Sequence, residues 1–446
     1  MPIFQKTFKG GVHPADGKEY ARNVPYSTYL PEGDLVFPLN QHIGKPARPL
    51  VQKGDTVLAG QIIAEADGFV SANIASSCSG KVKGVENRRT VAGTAAPCIV
   101  IENDGAYTMA EGVGNETDEA SLTGREILDR VKAAGIIGLG GAGFPTHVKL
   151  APKNAEAIRY VIANGAECEP YITCDDQLMR TQAQEIVKGL KIMLRLFPKA
   201  EGVVIIEENK PEAIRAMEEA CRGEEKVRVQ AVRTKYPQGG ERAVLSVVAG
   251  KHLKLGMLPA DVGCVVDNVA TVRAIYRAVC KSEPLMERGF TVSGDGVERP
   301  CNLMVRIGTS FSEVLQAAGG FRKGADVQKL ICGGPMMGLA LSSLQVPICK
   351  NNNALTVLTL DEAALGEKQK TSCLRCGRCS QVCPLGLTPQ MMAQAAERKD
   401  YGRYEKKLYG LECIACGSCT YICPAKRPLM QLFKQAKAEI MAAKRK

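Results

Sequence analysis

Eight cysteines in the last quarter of the chain have the spacing of iron–sulfur ligands. The stretches "CLRCGRCSQVCP" (373–384) and "CIACGSCTYICP" (413–424) repeat one pattern, C-x2-C-x2-C-x3-C-P. Three thiolates on such a tight turn can hold three irons of a cubane, and the fourth, followed by proline, ligates the other cluster in two-cluster proteins. The sequence therefore predicts two [4Fe–4S] clusters. The predicted ligands are Cys373, Cys376, Cys379 and Cys423 for cluster 1, and Cys413, Cys416, Cys419 and Cys383 for cluster 2.

A pair of structural zinc sites is the alternative interpretation of these cysteines. Zinc is commonly bound by paired C-x2-C knuckles separated by a longer gap. Three evenly spaced cysteines and a fourth before proline, present twice, fit cubanes better. The intervening "TPQMMAQAAERKDYGRYEKKL" is helix-forming, so we expect a helical ferredoxin-like domain with two [4Fe–4S] clusters. The other ten cysteines are scattered singly and are interpreted as small buried hydrophobic residues.

The segment "GLGGAGFPTHVK" (138–149) is a second candidate for chemistry, because its glycines satisfy G-x-G-x-x-G. A dinucleotide-binding loop of this kind follows a strand and opens a helix, with an acidic residue about 20 positions later. Here a predicted helix (122–134) precedes the loop and no acidic residue stands at that position, so the dinucleotide match fails. The glycines still allow backbone N–H groups to approach a flat or phosphorylated ligand.

Alternating apolar and amphipathic segments follow the glycine loop. The pattern predicts strands over 159–164, 202–207, 227–232 and 263–268, and helices over roughly 176–196, 211–221, 240–250 and 269–280. This alternation indicates an α/β domain with a largely parallel sheet.

Two further regions have β character. The stretch 51–86 looks like the flattened β-sandwich of lipoyl and biotinyl carrier domains, but its tip "EADGFVSAN" has no lysine to carry a cofactor. The stretch 290–320 resembles a small β-grasp-like module of the soluble-ligand-binding (SLBB) type. We therefore expect a multidomain α/β and α+β protein. The expected boundaries are 1–120 (barrel-sandwich-like), 121–285 (Rossmann-like α/β), 286–345 (SLBB-like β-grasp), 346–370 (linker) and 371–446 (ferredoxin domain with a basic tail).

Composition and charge limit the location and the partners of the protein. With 45% hydrophobic residues and no run of 18 apolar positions, the 446-residue chain predicts no membrane span. The N-terminus lacks a long apolar segment typical of a signal peptide, so we expect a cytoplasmic protein that reaches a membrane only through a partner.

Residues 367–446 hold 16 lysines and arginines against 6 acidic residues. No nucleic-acid-binding motif accompanies these basic residues. The basic surface therefore fits an acidic ferredoxin-like partner better than a nucleic acid.

Four motifs occur in order across the α/β region: "GLGGAGFPTHVK", "NGAECEPY" (164–171), "YPQGGE" (236–241) and "VVDNVATV" (265–272). Together they resemble the FMN- and NADH-binding subunit of respiratory complex I. With "FKGGVHP", "PLNQHIGKPARP" and the two-cluster tail, essentially residues 3–430 resemble the C subunits of Rnf complexes, which are membrane-bound ferredoxin:NAD oxidoreductases.

The resemblance implies non-covalent FMN, with NAD(H) as substrate and hydride transfer by the bound flavin rather than by a catalytic side chain. It implies a flavin cradle of Gly138, Gly140, Gly141, Gly143 and Phe144, with Lys149 as an anionic contact. It places Asn164 and Glu167 along the FMN edge and ribityl chain, and Glu169 on the nicotinamide-nucleotide side. Tyr236, Gly240 and Glu241 would come from the next strand end, and Asn268 would reach the FMN phosphate. The complex I loop carries arginines where this chain has Leu139.

The expected function is that of a peripheral electron-input subunit of a membrane Rnf complex. It would exchange hydride between NADH and FMN and pass single electrons through two clusters to or from ferredoxin-type subunits, at the cytoplasmic face of the membrane. The complex would couple this transfer to ion translocation. Two alternatives remain: a cobalamin reductase of a propanediol-utilisation compartment, and a flavin-free iron–sulfur wiring subunit.

Overall fold

The computed structural model describes residues 7–254 and 256–444. Within them the α-helices are α1 (Gly124–Ala133), α2 (Thr146–Lys149), α3 (Cys174–Thr181), α4 (Ala183–Leu196), α5 (Pro211–Ala220), α6 (Glu241–Ala249), α7 (Val269–Lys281), α8 (Phe311–Ala317), α9 (Glu362–Lys368), α10 (Arg378–Gln381), α11 (Pro389–Glu397), α12 (Tyr401–Lys406), α13 (Ser418–Tyr421) and α14 (Leu429–Ala443). Short 3-10 helices span Lys18–Tyr20, Glu119–Ser121, Ala155–Ala157, Pro259–Val262 and Gly410–Glu412.

The strands in the same residues are β1 (Tyr26–Tyr29), β2 (Leu35–Pro38), β3 (Arg48–Pro49), β4 (Thr56–Val57), β5 (Ile62–Glu65), β6 (Ile74–Ala75), β7 (Gly80–Arg89), β8 (Ala95–Asn103), β9 (Tyr160–Gly165), β10 (Glu201–Glu207), β11 (Val227–Val232), β12 (Cys264–Asn268), β13 (Glu287–Ser293), β14 (Cys301–Arg306), β15 (Lys329–Cys332), β16 (Leu339–Ala340) and β17 (Ala354–Leu358). Along the described ranges no helix has both the length and the apolar character needed to cross a bilayer.

The N-terminal β domain consists of two small sheets. One has the antiparallel order β2-β8-β7-β4 and the other the order β3-β5-β6. Apolar side chains from both sheets, among them Phe37, Ile63 and Ile99, are fully buried in one core. The expected barrel-sandwich-like fold is confirmed.

The central α/β domain has a fully parallel sheet in the order β11-β10-β9-β12. Its four strands lie within one residue of the expected ones. Strands β9, β10 and β12 contain short apolar runs that are buried on both faces. Edge strand β11 (VRVQAV) instead includes polar residues and the exposed Ala231. The expected single helix over 176–196 is wrong: Gln182 leaves the helical conformation (φ −133°, ψ 31°) and separates α3 from α4. From β9 the chain adds β10 and β11 on one side of the sheet and then β12 on the other side. The order of strands therefore reverses between β9 and β12. Folds of this kind bind ligands at such a point, beyond the carboxyl ends of the strands.

The SLBB-like domain forms a six-stranded sheet with the order β1-β14-β13-β17-β15-β16. Strand β1 comes from the N-terminal region and pairs in parallel with β14. The expectation that 346–370 is a linker is wrong, because β17 lies inside this sheet between β13 and β15 and its Leu355 and Val357 are fully buried. The other domain boundaries stay predictions.

The C-terminal domain is helical and internally repeated. Arg375 and Ala415, two residues after the first cysteine of each motif, both have left-handed backbone (φ 54° and 52°). Gly377 and Gly417, which precede α10 and α13, also share positive φ values. The two cysteine motifs therefore have the same local fold. Helices α11, α12 and α14 pack around Tyr404 in one apolar core.

Residues 7–24, which we call the N-terminal strap, run across three domains. The Thr7 hydroxyl donates to the Gln238 carbonyl oxygen Oε1 of the α/β domain at 3.0 Å. The Gly11 N–H donates to the Val382 carbonyl of the ferredoxin domain at 2.8 Å. In the SLBB-like domain, Asn302 Nδ2 donates to two strap carbonyls. The strap therefore ties the three domains to one another.

Candidate flavin and iron–sulfur sites

The glycine loop covers the carboxyl end of β12. Its ends meet, because the Gly138 N–H donates to the Phe144 carbonyl at 2.9 Å. A Cβ atom on Gly140 would lie 2.8 Å from Cβ of Asn268, so only glycine allows this approach. A Cβ atom on Gly141 would have no atom within 4 Å. The loop thus packs on the sheet through one glycine and leaves the next beside open space.

The N-terminus of α7 lies directly under this loop. Asn268 caps the helix, since its Oδ1 accepts from the Ala270 N–H at 2.8 Å. Thr271 accepts from the Leu139 N–H at 2.9 Å, which pins the loop to the helix. A helix N-terminus carries partial positive charge that favours an anion such as a phosphate. Thr271 lies within the "VVDNVATV" motif, but it was not singled out as a site residue, because a threonine inside a helix gives no signal of its own.

Gly143, just before Phe144 at the end of the loop, faces the N-terminal β domain. Gly143 is buried, has a positive φ of 73°, and its carbonyl accepts from the Ile43 N–H at 3.1 Å. The expected cradle residues are thus adjacent, and their contact with FMN stays a prediction.

Lys149, the expected anionic contact, has a partner within the protein. Its Nζ donates to the Val266 carbonyl at 2.7 Å and pairs with Asp267 Oδ1 at 3.0 Å. The Asp267 side chain is fully buried, and burial raises its pKa. Burial works against the charge of Lys149 as well, but Asp267 and Glu241 together raise the Lys149 pKa. Lys149 therefore compensates the charge of the buried Asp267 carboxylate under the loop. Its expected contact with the anionic group of FMN stays a prediction.

Asn164 is the second-last residue of β9, and Glu167 lies two residues after the strand ends. Asn164 stands opposite Asn268 in the sheet register and donates to the Gly239 carbonyl at 2.8 Å. The Glu167 carboxylate accepts from the Asp175 N–H at 2.6 Å, at the start of α3. Burial raises the pKa of Glu167 to about 8. The structure therefore turns Glu167 toward the protein interior, where it caps α3.

Glu169 also has a partner that sequence reasoning did not foresee. Its Oε1 accepts from the backbone N–H groups of Met336 and Met337 at 2.5 and 3.1 Å. These amides belong to the "ICGGPMMG" segment of the SLBB-like domain. Burial raises the pKa of Glu169 to about 7. The carboxylate thus joins two domains, and the expected contact with a nicotinamide nucleotide stays a prediction.

Tyr236, Gly240 and Glu241 follow β11, as the resemblance implies. Gly240 precedes α6 and Glu241 is the first residue of that helix. Tyr236 is 2% exposed, and its hydroxyl donates to the Cys416 carbonyl at 2.7 Å. One residue assigned to the flavin side is therefore in direct contact with a predicted cluster ligand.

The structure brings the eight motif cysteines together as two sets of four around two cavities. The inner cavity is lined by Cys383, Cys413, Cys416 and Cys419, and the outer cavity by Cys373, Cys376, Cys379 and Cys423. These sets are the two that the spacing predicts, with the fourth cysteine exchanged between motifs. Cys416 is buried, whereas Cys373 and Cys376 are exposed.

The donor sets suit the predicted groups. Each cavity offers four thiols and no histidine or carboxylate among its lining residues, which is the ligand set of an all-cysteine cubane. At the other site, the open space beside Gly141 and the helix N-terminus at Asn268 suit a planar ligand that carries a phosphate.

Comparison with family models assigns the same four domains. Matches are found to the RnfC barrel sandwich hybrid domain (6–106), the Nuo51 FMN-binding domain (131–277), the SLBB domain (290–340) and the 4Fe-4S dicluster domain (366–424). The fold also resembles a chain in the crystal structure of NAD+-reducing [NiFe]-hydrogenase in the H2-reduced state, with a TM-score of 0.50 and 19% identity. That alignment covers 73% of this chain and 62% of the hydrogenase chain, and it shows the fold alone.

These domains define an electron-transport protein that uses flavin and iron–sulfur groups. The chain is 44% identical, over 98% of its length and 95% of the relative, to the C subunit of the proton-translocating ferredoxin:NAD(+) oxidoreductase complex of Clostridium ljungdahlii. It is 39% identical, over the full length of both chains, to the C subunit of the Na(+)-translocating ferredoxin:NAD(+) oxidoreductase complex of Acetobacterium woodii. The chain belongs to the family of Rnf complex C subunits, so other subunits of that complex are its partners.

Proposed function

We propose that this chain is the electron-input subunit of an Rnf-type complex, held at the cytoplasmic face of the membrane by its partner subunits. It exchanges hydride between NADH and non-covalent FMN, and passes single electrons through two [4Fe–4S] clusters to or from ferredoxin-type subunits. The complex couples this transfer to ion translocation. The contact between Tyr236 and Cys416 carries the proposal, because it joins the candidate flavin domain to a set of four cysteines within one chain.

A flavin supplies the conversion between two-electron hydride chemistry and one-electron cluster chemistry. The residues of this chain need only bind and orient it. Gly140 and Asn268 bring the loop close to the N-terminus of α7, where a phosphate is favoured. Asn164 orders the turn that precedes α6 through its bond to the Gly239 carbonyl.

The positions of the two cysteine sets support an order of transfer. The inner set touches the α/β domain through Tyr236 and the strap through the Cys383 carbonyl, which faces Gly10. The outer set includes the two exposed cysteines, Cys373 and Cys376. Cluster 2 at the inner cavity is therefore the one proximal to FMN, and cluster 1 exchanges electrons with the partner.

The surface around the outer cavity supports an acidic partner. Leu374 is 64% exposed beside the exposed cysteines. Arg375, Arg378 and Lys426 are exposed around it, and none of them forms a salt bridge within the described residues. An apolar centre with a basic rim favours encounter with a negatively charged electron carrier.

The test is an anaerobic absorption spectrum of the purified, iron–sulfur-reconstituted protein before and after NADH is added. A flavin band and broad iron–sulfur absorbance, both bleached by NADH, would establish the path from hydride to clusters. Iron–sulfur absorbance without flavin would indicate the wiring subunit instead. Reduction of a corrinoid in preference to a ferredoxin would indicate the cobalamin reductase.

A further inference from the structure

The segment 165–172, which we call the carboxylate loop, has a backbone that needs outside support. Two of its residues other than glycine have left-handed conformations, Glu167 with φ 47° and Tyr171 with φ 69°. For such residues this conformation is unfavourable, and it persists only when surrounding contacts enforce it. The loop carries Glu167 and Glu169, so its shape sets the position of both carboxylates.

Two buried lysines hold this loop from different parts of the chain. Lys210, fully buried at the start of α5, donates to the Ala166 carbonyl at 2.7 Å. Lys18 of the strap is 1% exposed and donates to the Glu169 carbonyl at 3.0 Å and to the Ile172 carbonyl. The loop carbonyls are thus fixed near both ends by ammonium groups.

The strap is fitted to the loop on either side of Lys18. The Tyr171 N–H donates to the Asp16 carbonyl at 2.7 Å. Gly17 has a positive φ of 56°, and a Cβ atom there would lie 2.6 Å from the Tyr171 ring. The Tyr20 ring stacks on the Tyr171 ring at a centroid distance of 5.9 Å. These contacts insert Lys18 beneath the loop rather than leaving it at the surface.

The charges of Lys18 and Glu167 depend on each other. Lys18 Nζ lies 3.9 Å from Glu167 Oε2, and both side chains are at most 3% exposed. Burial lowers the pKa of Lys18 and raises that of Glu167. If the lysine is lost, the glutamate therefore shifts toward its neutral form and accepts less strongly from the N–H groups of α3.

We propose that Lys18 is a positioning residue for the flavin site, acting through the carboxylate loop. The inference rests on the proposed function, because the loop is expected to line FMN. The same strap contacts Val382 of the ferredoxin domain through Gly11. Docking of the ferredoxin domain and the geometry of the flavin site are thereby linked through one segment.

The test compares Lys18→Met with Lys9→Met in the full-length reconstituted protein. Both substitutions remove one positive charge from the strap, but the Lys9 side chain is exposed. Lys18→Met should weaken FMN binding at least tenfold in a fluorescence titration and change the visible circular dichroism of the bound flavin. Lys9→Met should change neither. Lys18→Arg, which keeps the charge, should recover part of the affinity and the dichroism.

Two results separate failure of this inference from failure of the proposed function. If the wild-type protein binds no FMN, the proposed function fails. If it binds FMN and Lys18→Met binds it equally well with the same dichroism, the inference alone is overturned. If Lys18→Met does not fold, Lys18→Gln carries the same test, because it removes the charge that faces Glu167 but leaves a polar side chain in the buried site. If neither Lys18→Met nor Lys18→Gln folds, Lys18 serves fold stability rather than the flavin site. That result would overturn the inference.

Discussion

The Tyr236 hydroxyl donates a 2.7 Å hydrogen bond to the Cys416 carbonyl across the boundary between the α/β domain and the ferredoxin domain. Tyr236 packs there with Val12 of the strap and Met336 of the SLBB-like domain. Four parts of the chain therefore meet at one side chain beside the inner cavity. Tyr236 is 2% exposed there, so the contact itself is closed to solvent.

Tyr236→Phe should slow electron transfer from flavin to clusters while leaving both groups bound. The substitution removes one hydrogen bond, worth about 1 kcal/mol, and loosens the contact with the cysteine motif. Stopped-flow absorption after NADH addition should show flavin bleaching at the wild-type rate and slower iron–sulfur bleaching. Tyr404→Phe is the matched control, because Tyr404 is equally buried and its hydroxyl has no hydrogen-bond partner among the described residues. Equal rates in all three proteins would contradict the role of Tyr236.

Single serine substitutions should separate the two clusters. Cys416→Ser and Cys376→Ser each remove one ligand, from the inner and outer cavities respectively. Each variant should lose about half of its iron, since a cubane holds four irons. After NADH addition, Cys376→Ser should still bleach its remaining cluster, whereas Cys416→Ser should not. Cys221→Ser, at a half-buried cysteine outside both motifs, is the control and should keep all of its iron.

The neighbouring glycines Gly140 and Gly141 should respond differently to alanine. In Gly140→Ala the new Cβ meets Asn268 at 2.8 Å, so the loop must shift and the protein without FMN should melt at a lower temperature. In Gly141→Ala the methyl group enters open space, so the melting temperature should not change. If that space is where the flavin lies, Gly141→Ala should nevertheless weaken FMN binding. Unchanged FMN affinity in Gly141→Ala would move the flavin away from this glycine.

Local patterns were sufficient for much of the fold. Strands β9, β10 and β12 follow from short apolar runs, and β11 from alternating valines. The two sets of cysteines follow from spacing that one tight turn dictates. Strand β17 was missed because it is five residues long in a polar stretch. Its place between β13 and β15 is decided by pairing with segments that lie far away in the sequence.

The partners of the candidate site residues could not be foreseen in the same way. Glu169 bonds to Met336, 167 positions later, and Lys18 bonds to Glu169 across 151 positions. A single carboxylate or lysine in a sequence has no signal for such a contact, because it depends on how whole domains pack. The motifs therefore located the site, while the packing decided which of its charges are already compensated.

The stability of the protein should depend on pH through Lys350. This lysine is fully buried between the N-terminal β domain and the α/β domain, where its Nζ donates to the carbonyls of Asn73 and Gly135. Burial lowers its pKa to about 7, below the value of about 10.5 expected in the unfolded chain. Between these two pKa values the lysine is protonated in the unfolded chain and neutral in the folded protein. Its contribution to the free energy of unfolding therefore increases with pH, by up to about 1.4 kcal/mol per pH unit. Thermal melting of the wild type should therefore improve relative to Lys350→Met as pH increases from 6 to 9. Melting curves that stay parallel over that range would show that Lys350 keeps its proton when buried.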